Sequence, residues 1–384
     1  MRWHGAGAAM VDLALKILRD DKPRFLTTVI GVAFAVALVY VQVGLFVGLL
    51  ASASVTIEHM DADLWVVAHD TPNVDFANPF PETLVGRVRS VPGVARADNL
   101  IVWFTTVALP GGAKESVVLY ALRDFARWNL PWKVLEGDPA DLRRGPYVFL
   151  DDSATRRFGP FAVGEHREFS GRRLKIIGRT GEARSFTTSP VAFLDYRLAQ
   201  SLTPDELAGR ATYIVAKLAP GADAGAVAAE VRRRLPYHDV HTRAGWARRS
   251  RDYWIESTGL GLTMFLTVSL GCLVGVIVVA QTLYTSTTEH LAEFATVKAI
   301  GGRDRDIYGV ILEQASIAAC LGYLVGSAAT LALVPILARV DMPLVVTPDL
   351  AATIFVGTLG LCLLASAWSF RRIAALDPAM VFRG

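Results

Sequence analysis

Four long apolar runs divide this chain, and their length and lack of charge decide what it can fold into. Residues Phe25 to Leu50 contain no Asp, Glu, Lys or Arg. A helix over that run, rising about 1.5 Å per residue, crosses a hydrocarbon layer ~30 Å thick with room for tilt. Gly259 to Tyr284, Ile307 to Leu337 and Leu350 to Phe370 repeat the pattern, and among the four only the third carries a charge, Glu313. The composition agrees: 52% hydrophobic, 20% charged, with mean hydropathy +0.37, it is too apolar for an ordinary soluble chain of 384 residues. A formal net charge of +3 gives no argument for a nucleic-acid partner.

The spacing of the runs sets the architecture. Residues 52–253 separate the first from the second, enough chain for a core of its own. The fold expected is therefore an α-helical membrane protein with four transmembrane helices and a large extracytoplasmic α+β domain inserted between helices 1 and 2. Its segments are residues 1–51 (N-terminal cytoplasmic segment and helix 1), 52–253 (outer domain), 254–284 (stalk and helix 2), 285–306 (cytoplasmic loop), 307–370 (helices 3 and 4) and 371–384 (cytoplasmic tail).

Basic residues orient the spans. Arg2, Lys16, Arg19, Lys22 and Arg24 precede or open the first run, Lys298, Arg303 and Arg305 lie between the second and third, and Arg371, Arg372 and Arg383 follow the fourth. The short loop on the other side, Ala338 to Asp349, holds Arg339 as its one basic residue. This bias places both termini and the central loop in the cytoplasm. Arg248, Arg249 and Arg251 stand on the side that the rule disfavours, but they close a long domain, where charge steers topology weakly. Ala51-Ser-Ala53 has the form of a signal cleavage site, yet the apolar run before it is far longer than the ~7 to 15 residues of a signal core and is read as a retained span. Residues 9–24 form a basic amphipathic lead-in, which fits either a helix on the inner leaflet or a solvated terminus.

Within the outer domain, alternating apolar residues and Pro-Gly turns predict strands at Leu64 to Val67, Val94 to Leu109, Ser116 to Ala121, Tyr147 to Leu150, Arg167 to Ser170, Arg173 to Ile177, Thr212 to Leu218 and around Val240. Helices are expected over Pro81 to Arg89, Asp195 to Ser201 and Ala222 to Arg234. The helix, proline turn and strand of 82–98 recur at 222–242, which fits two βαβ-like halves on a mixed sheet or two unrelated αβ turns. Trp246 to Trp254 is read as a helix running on into the second span, a rigid stalk.

Helix packing in lipid depends on close backbone approach. Gly44 and Gly48, Gly271 and Gly275, and Gly322 and Gly326 each have the small-xxx-small spacing that allows it, within one chain or across a dimer. Polar residues in the spans are costly, and Glu313 and Gln314 lie near the start of the third. Glu313 fits either a pairing with a basic residue such as Arg303 or a side chain snorkelling to the interface.

Chemical motifs are missing. No G-x-x-x-x-G-K-[ST] occurs, and no H-E-x-x-H, G-x-S-x-G or C-x-x-C, so no catalytic residue, bound cofactor or metal is expected. His238 and His241 lack a third ligand nearby in sequence. Cys272, Cys320 and Cys362 all fall in the apolar runs, leaving the outer domain without a disulfide.

The polar segment Thr285 to Ile307 remains. Ser286 and Glu289 have capping-box spacing, Gly301-Gly302 supplies a stop, and Leu291, Phe294, Val297 and Ile300 sweep an apolar arc between them. By periodicity it is a short helix on a membrane-surface loop. Glu293-Phe-Ala-Thr-Val-Lys-Ala-Ile-Gly-Gly302, followed by Arg303-Asp-Arg-Asp-Ile307, resembles the cytoplasmic loop of FtsX-like permeases, the MacB type of ABC transporter membrane subunit. The tail Arg371-Arg-Ile-Ala-Ala-Leu-Asp-Pro-Ala-Met-Val-Phe-Arg383 resembles that family's closing motif. Gly31-Val-Ala-Phe-Ala35, Gln42-Val-Gly44 and Asp63-Leu-Trp-Val-Val67 are most similar to its DevC branch.

The resemblance implies a homodimeric permease of the bacterial inner membrane that works with a soluble ABC ATPase subunit, on which ATP and Mg are bound. It also implies a periplasmic adaptor protein, with an outer-membrane channel as a further partner, and export driven by motion of the outer domain (mechanotransmission). The coupling residues carried over are Glu293, Phe294, Lys298, Gly301 and Arg303, with Asp306. A transmembrane signalling protein that regulates extracytoplasmic enzymes is the alternative; dependence of an adaptor and an exported cargo on this chain separates the two.

Overall fold

Alternation with a period of two governs the outer domain. In the computed structural model, which describes residues 22–187, 189–289, 304–339, 342 and 344–374, this domain is the unit Leu49–Gly261. Its strands are β1 (Leu64–Ala68), β2 (Phe80–Pro81), β3 (Val94–Ala108), β4 (Lys114–Leu122), β5 (Val134–Glu136), β6 (Tyr147–Asp151), β7 (His166–Phe169), β8 (Arg172–Thr180), β9 (Val191–Asp195), β10 (Arg210–Ala211), β11 (Tyr213–Leu218) and β12 (His238–Thr242). Ten of them form one mixed sheet in the order β12-β1-β11-β3-β4-β9-β6-β8-β5, with β7 against β3 and β8, while β2 and β10 pair separately. Along β4, Val117, Leu119 and Ala121 enter one core and Val118, Tyr120 and Leu122 the other. The middle of the sheet, Val117–Leu122 of β4 with β6 and β9, is thus buried on both faces and reads as near-continuous apolar runs.

Four helices of this domain position its functional side chains: α1 (Val55–His59), α2 (Val85–Arg89), α3 (Ala224–Arg234) and α4 (Arg243–Glu256). Helix α2 connects β1 to β3, and α3 connects β11 to β12. Because β1 is antiparallel to β11 and β12, and β11 is antiparallel to β3, the order β12-β1-β11-β3 is that of two interleaved βαβ units of the ferredoxin-like kind. Of the two readings open in the sequence, the related halves are therefore the one realised. Val88 of α2 and Val227, Ala228 and Val231 of α3 share one core. Asp223 caps α3, accepting from the Gly225 amide, and Arg232 to Arg234 sit in its last turn, where cations suit the helix dipole. Gly93, at φ +91, closes the turn into β3 under Val227, where a Cβ would stand 2.8 Å from that side chain.

The chain from β4 to β10 is inserted between β3 and β11 and extends the sheet sideways. Here β4 pairs in parallel with β9, and β6 in parallel with β8.

The remaining unit is built from the long helices Lys22–Ser52, Leu260–Glu289, Asp304–Arg339 and Pro348–Ala374, each long and apolar enough to cross a membrane. Pro348 opens the last of these, where no amide is needed, and Thr347 accepts from the Leu350 amide as its cap.

Two sequence expectations require correction. The stalk helix α4 is not continuous with the second span: it ends at Glu256, and a new helix begins at Leu260. Gly259 between them has φ +70, a left-handed backbone that halts an α-helix. Nor does Ser286 cap a separate helix, since the second span runs unbroken through Glu289. Its polar end is tolerated because Thr285 and Thr288 return their hydroxyls to the carbonyls of Gln281 and Tyr284.

Candidate functional site

Three places bear on function, and each is built differently. The first is the segment between the second and third spans. Glu293, Phe294, Lys298, Gly301 and Arg303 lie outside the described residues, and Asp306 lies in the first turn of the Asp304–Arg339 helix. The helices that flank the segment are described up to Glu289 and from Asp304.

The second is the packing of the spans. A Cβ on Gly271 would stand 2.7 Å from Leu38, on Gly275 3.0 Å from Ala35, on Gly322 2.5 Å from Val32, and on Gly326 2.6 Å from the Ala33 carbonyl. All four glycines thus lie against the first span, on the stretch from Val32 to Leu38. Gly44 meets Leu344, with its carbonyl accepting from the Val345 amide, and Gly48 is buried. Gln314 is buried, and Oε2 of Glu313 is buried with no hydrogen-bond partner among the described residues. One polar clasp went unread in the sequence: Tyr40 and Tyr323 share a hydroxyl contact of 2.9 Å, and Tyr323 donates to the Ala351 carbonyl, joining the first, third and fourth helices. An apolar hollow of about 280 Å³ lies between the first, second and fourth, lined by residues such as Val36, Val39, Cys272, Val276, Ile354 and Cys362.

The third is the base of the outer domain, where the chain enters from the first span and leaves towards the second. Arg251 of α4 pairs with Glu58 of α1 and donates to the Ser54 hydroxyl. Arg249 donates to the Thr71 carbonyl. Two of the three arginines that stood against the charge bias are thereby taken up in holding α4. Just above, Lys217 donates to Asp61 (2.6 Å) and Asp63 (3.2 Å), and Arg96 donates to Asp61 (2.7 Å). The Lys217 ammonium, hydrogen-bonded to Asp61, holds that carboxyl below its ordinary range against the opposing effect of burial.

A buried polar knot lies beside α4. The loop after β1 is pinned by Tyr213, whose hydroxyl lies within hydrogen-bond reach of the carbonyls of Asn73 and Val74, and by the Val74 amide donating to Ser250 of α4. Asp75, almost wholly buried, accepts from the Ser185 hydroxyl at 3.0 Å, and its other oxygen has no partner among the described residues. Burial pushes its pKa up to about 6. Phe76 and Phe186 close on Trp254 of α4, with Phe186 stacked at 3.9 Å and an interplanar angle of 17°. No local sequence pattern marks these residues, because they meet only through the fold.

At the far end of the same loop His69, Asp70 and Asp239 come together, His69 Nδ1 lying 3.1 Å from Asp239 Oδ1. His69 and Asp70 are open to solvent, and the Asp239 hydrogen bond raises the His69 pKa, as expected of a surface ion pair. His238 and His241 are not in this group.

Comparisons with known proteins supply the family. The profile of the MacB-like periplasmic core domain matches residues 25–234, and that of the FtsX-like permease C-terminal region matches residues 265–378. An uncharacterised ABC transporter permease of Mycobacterium bovis is 25% identical over 98% of this chain and 100% of its own length. A second such permease, from Mycobacterium tuberculosis, is 24% identical over the same shares. Among solved structures, the periplasmic region of MacB from Actinobacillus actinomycetemcomitans overlays with a TM-score of 0.39 at 12% identity, covering 49% of this chain and 92% of that one. The extracellular domain of YknZ, a noncanonic ABC-type transporter from Gram-positive bacteria, gives 0.36 at 14% identity, covering 47% and 98%. With one profile spanning the first helix and most of the outer domain and the other spanning the last three helices, this chain belongs to the MacB and FtsX-like family of ABC transporter permeases.

Proposed function

We propose that this permease converts ATP hydrolysis on its separate ABC ATPase partner into motion of the outer domain, and that this motion drives export together with a periplasmic adaptor. The observation that carries the reading is the segment 290–303. It lies between spanning helices described through Glu289 and from Asp304, and it contains the Glu293 to Arg303 motif that resembles the family's coupling loop. ATP and Mg belong to the partner in this reading, and the chain itself holds no cofactor. Glu293, Phe294, Lys298, Gly301, Arg303 and Asp306 form the socket.

Further features support the parts of this proposal. The hollow between the first, second and fourth helices is apolar, which suits hydrocarbon rather than a polar cargo in transit. The second span leaves Leu262, Leu266, Leu270, Leu273 and Ile277 exposed in one stripe, open to lipid or to a second copy of the chain, and the homodimer itself is proposed from the family resemblance. The basic flanks favour cytoplasmic termini, and the family resemblance favours a bacterial inner-membrane location. The DevC-like motifs favour a periplasmic adaptor and, beyond it, an outer-membrane channel. Phe294→Asp or Gly301→Trp should leave the chain inserted and the ATPase active while transport stops. Normal transport in both variants contradicts the proposal.

A further inference from the structure

Trp254 sits near the end of α4, five residues before the left-handed turn at Gly259. Its indole is buried, and its Nε1 has no acceptor among the described residues, so apolar contacts fix its seat: the rings of Phe76 and Phe186, with Ala53 and the partly buried Leu49, Leu50 and Leu260 in the same cluster. Those rings come from two halves of the domain. Phe76 belongs to the loop that follows β1, in the ferredoxin-like half. Phe186 belongs to the loop between β8 and β9, in the inserted half. The residues before each ring are tied to one another by the Ser185 hydroxyl donating to Asp75, and Val74 is tied one turn higher on α4, to Ser250. Tyr253 adds an edge contact to Phe76 at 6.1 Å.

From this arrangement we infer that Phe76 and Phe186 are two jaws that set the position of the stalk helix through Trp254, and that this joint is where movement of the second span enters the outer domain. The inference rests on the coupling reading proposed above. A turn between two helices passes on little torque by itself, because its backbone can swivel. A clamp on the last turns of α4 confines that freedom, and any displacement of α4 then moves both loops together. Trp254 is in this sense a positioning residue, acting through Phe76 and Phe186. The Asp75–Ser185 bond keeps the jaws in register.

The test uses the full chain with its ABC ATPase in lipid nanodiscs and reads hydrogen exchange at 71–76 and 183–187, with and without ATP, beside ATP turnover. In the wild type, ATP should change exchange in both loops by about fivefold or more, the size of an ordinary coupling between sites. Trp254→Ala should abolish the change in both loops while ATP turnover persists, and Trp254→Phe, which keeps a ring between the jaws, should restore it. Phe186→Ala, which leaves α4 intact, should also abolish it and carries the test if Trp254→Ala fails to assemble. Ser185→Ala should let the two loops respond unequally. A response in Trp254→Ala or Phe186→Ala as large as in the wild type overturns the joint. Absence of any ATP-driven change across 49–261 in the wild type overturns the coupling reading itself, and the joint with it.

Discussion

The outer domain and the membrane helices are both held by close packing, but they use opposite ends of the residue-size scale. Among the largest fully buried side chains of the domain are Trp65, Trp128, Trp246, Tyr120, Tyr213 and Phe149, whereas the spans meet at Gly271, Gly275, Gly322 and Gly326. In water, apolar area removed from solvent is the driving force, so bulk stabilises. In lipid that force vanishes between helices, and what remains is dispersion at close approach, so small residues stabilise. Truncation should therefore damage the first region, and enlargement the second.

The sharpest break of this comparison is a truncation in the domain. Phe149 is fully buried in the sheet, with Gly137 and Gly178 fitted against its ring. Phe149→Ala should cost about 3 to 5 kcal/mol, read as loss of hydrogen-exchange protection across β6 and β8 in the full chain. A cost under ~1 kcal/mol would mean that the domain does not depend on bulk in this way.

Asp75 comes next, because it departs from the domain's apolar rule. Its folded pKa, about 6, lies above the ordinary aspartate value of 3.8, so folding takes up a proton. Stability is therefore greatest below the lower value, falls as pH rises between the two, and is flat above the upper. The gap of about two units corresponds to roughly 3 kcal/mol as an upper bound. Asp75→Asn should accordingly be more stable than the wild type at pH above about 6, with little difference near the lower end of the window. If thermal unfolding of the variant kept the same fall with pH, another group would be responsible.

The smallest of the three concerns the membrane unit. Gly326→Leu should cost about 1 to 3 kcal/mol by overpacking against Ala33 and Val36, seen as faster thiol labelling of the buried Cys362. Gly360→Leu serves as control, since a Cβ there meets nothing within 4 Å and the residue does not line the hollow that Cys362 borders. Equal labelling in the two variants would remove the distinction between packed and unpacked glycines.

The range of each interaction decided how much of it was legible in the sequence. The spans, β1, β3, β4, α3 and β12 show a period or a turn signal within their own residues. Strand β9 did not, because Val191 to Asp195 is short and becomes a strand only by pairing with β4 and β6. Asp75 with Ser185 and Phe186 with Trp254 are joined across most of the domain, and no local pattern marks them. Ser286 and Glu289 misled for the opposite reason: three-residue spacing serves a cap and a continuing helix alike. In the spans, glycine spacing could be read, but the choice of the first helix as the common partner could not.

The proposed coupling requires the segment 290–303 to face the ATPase, and cross-linking from position 294 tests that most directly. A Phe294→Cys variant, treated with a short thiol cross-linker in membranes holding the ATPase, should yield a permease–ATPase adduct. It should also resist a membrane-impermeant maleimide added outside intact cells. Modification by that reagent from outside, with no adduct to the ATPase, would contradict it.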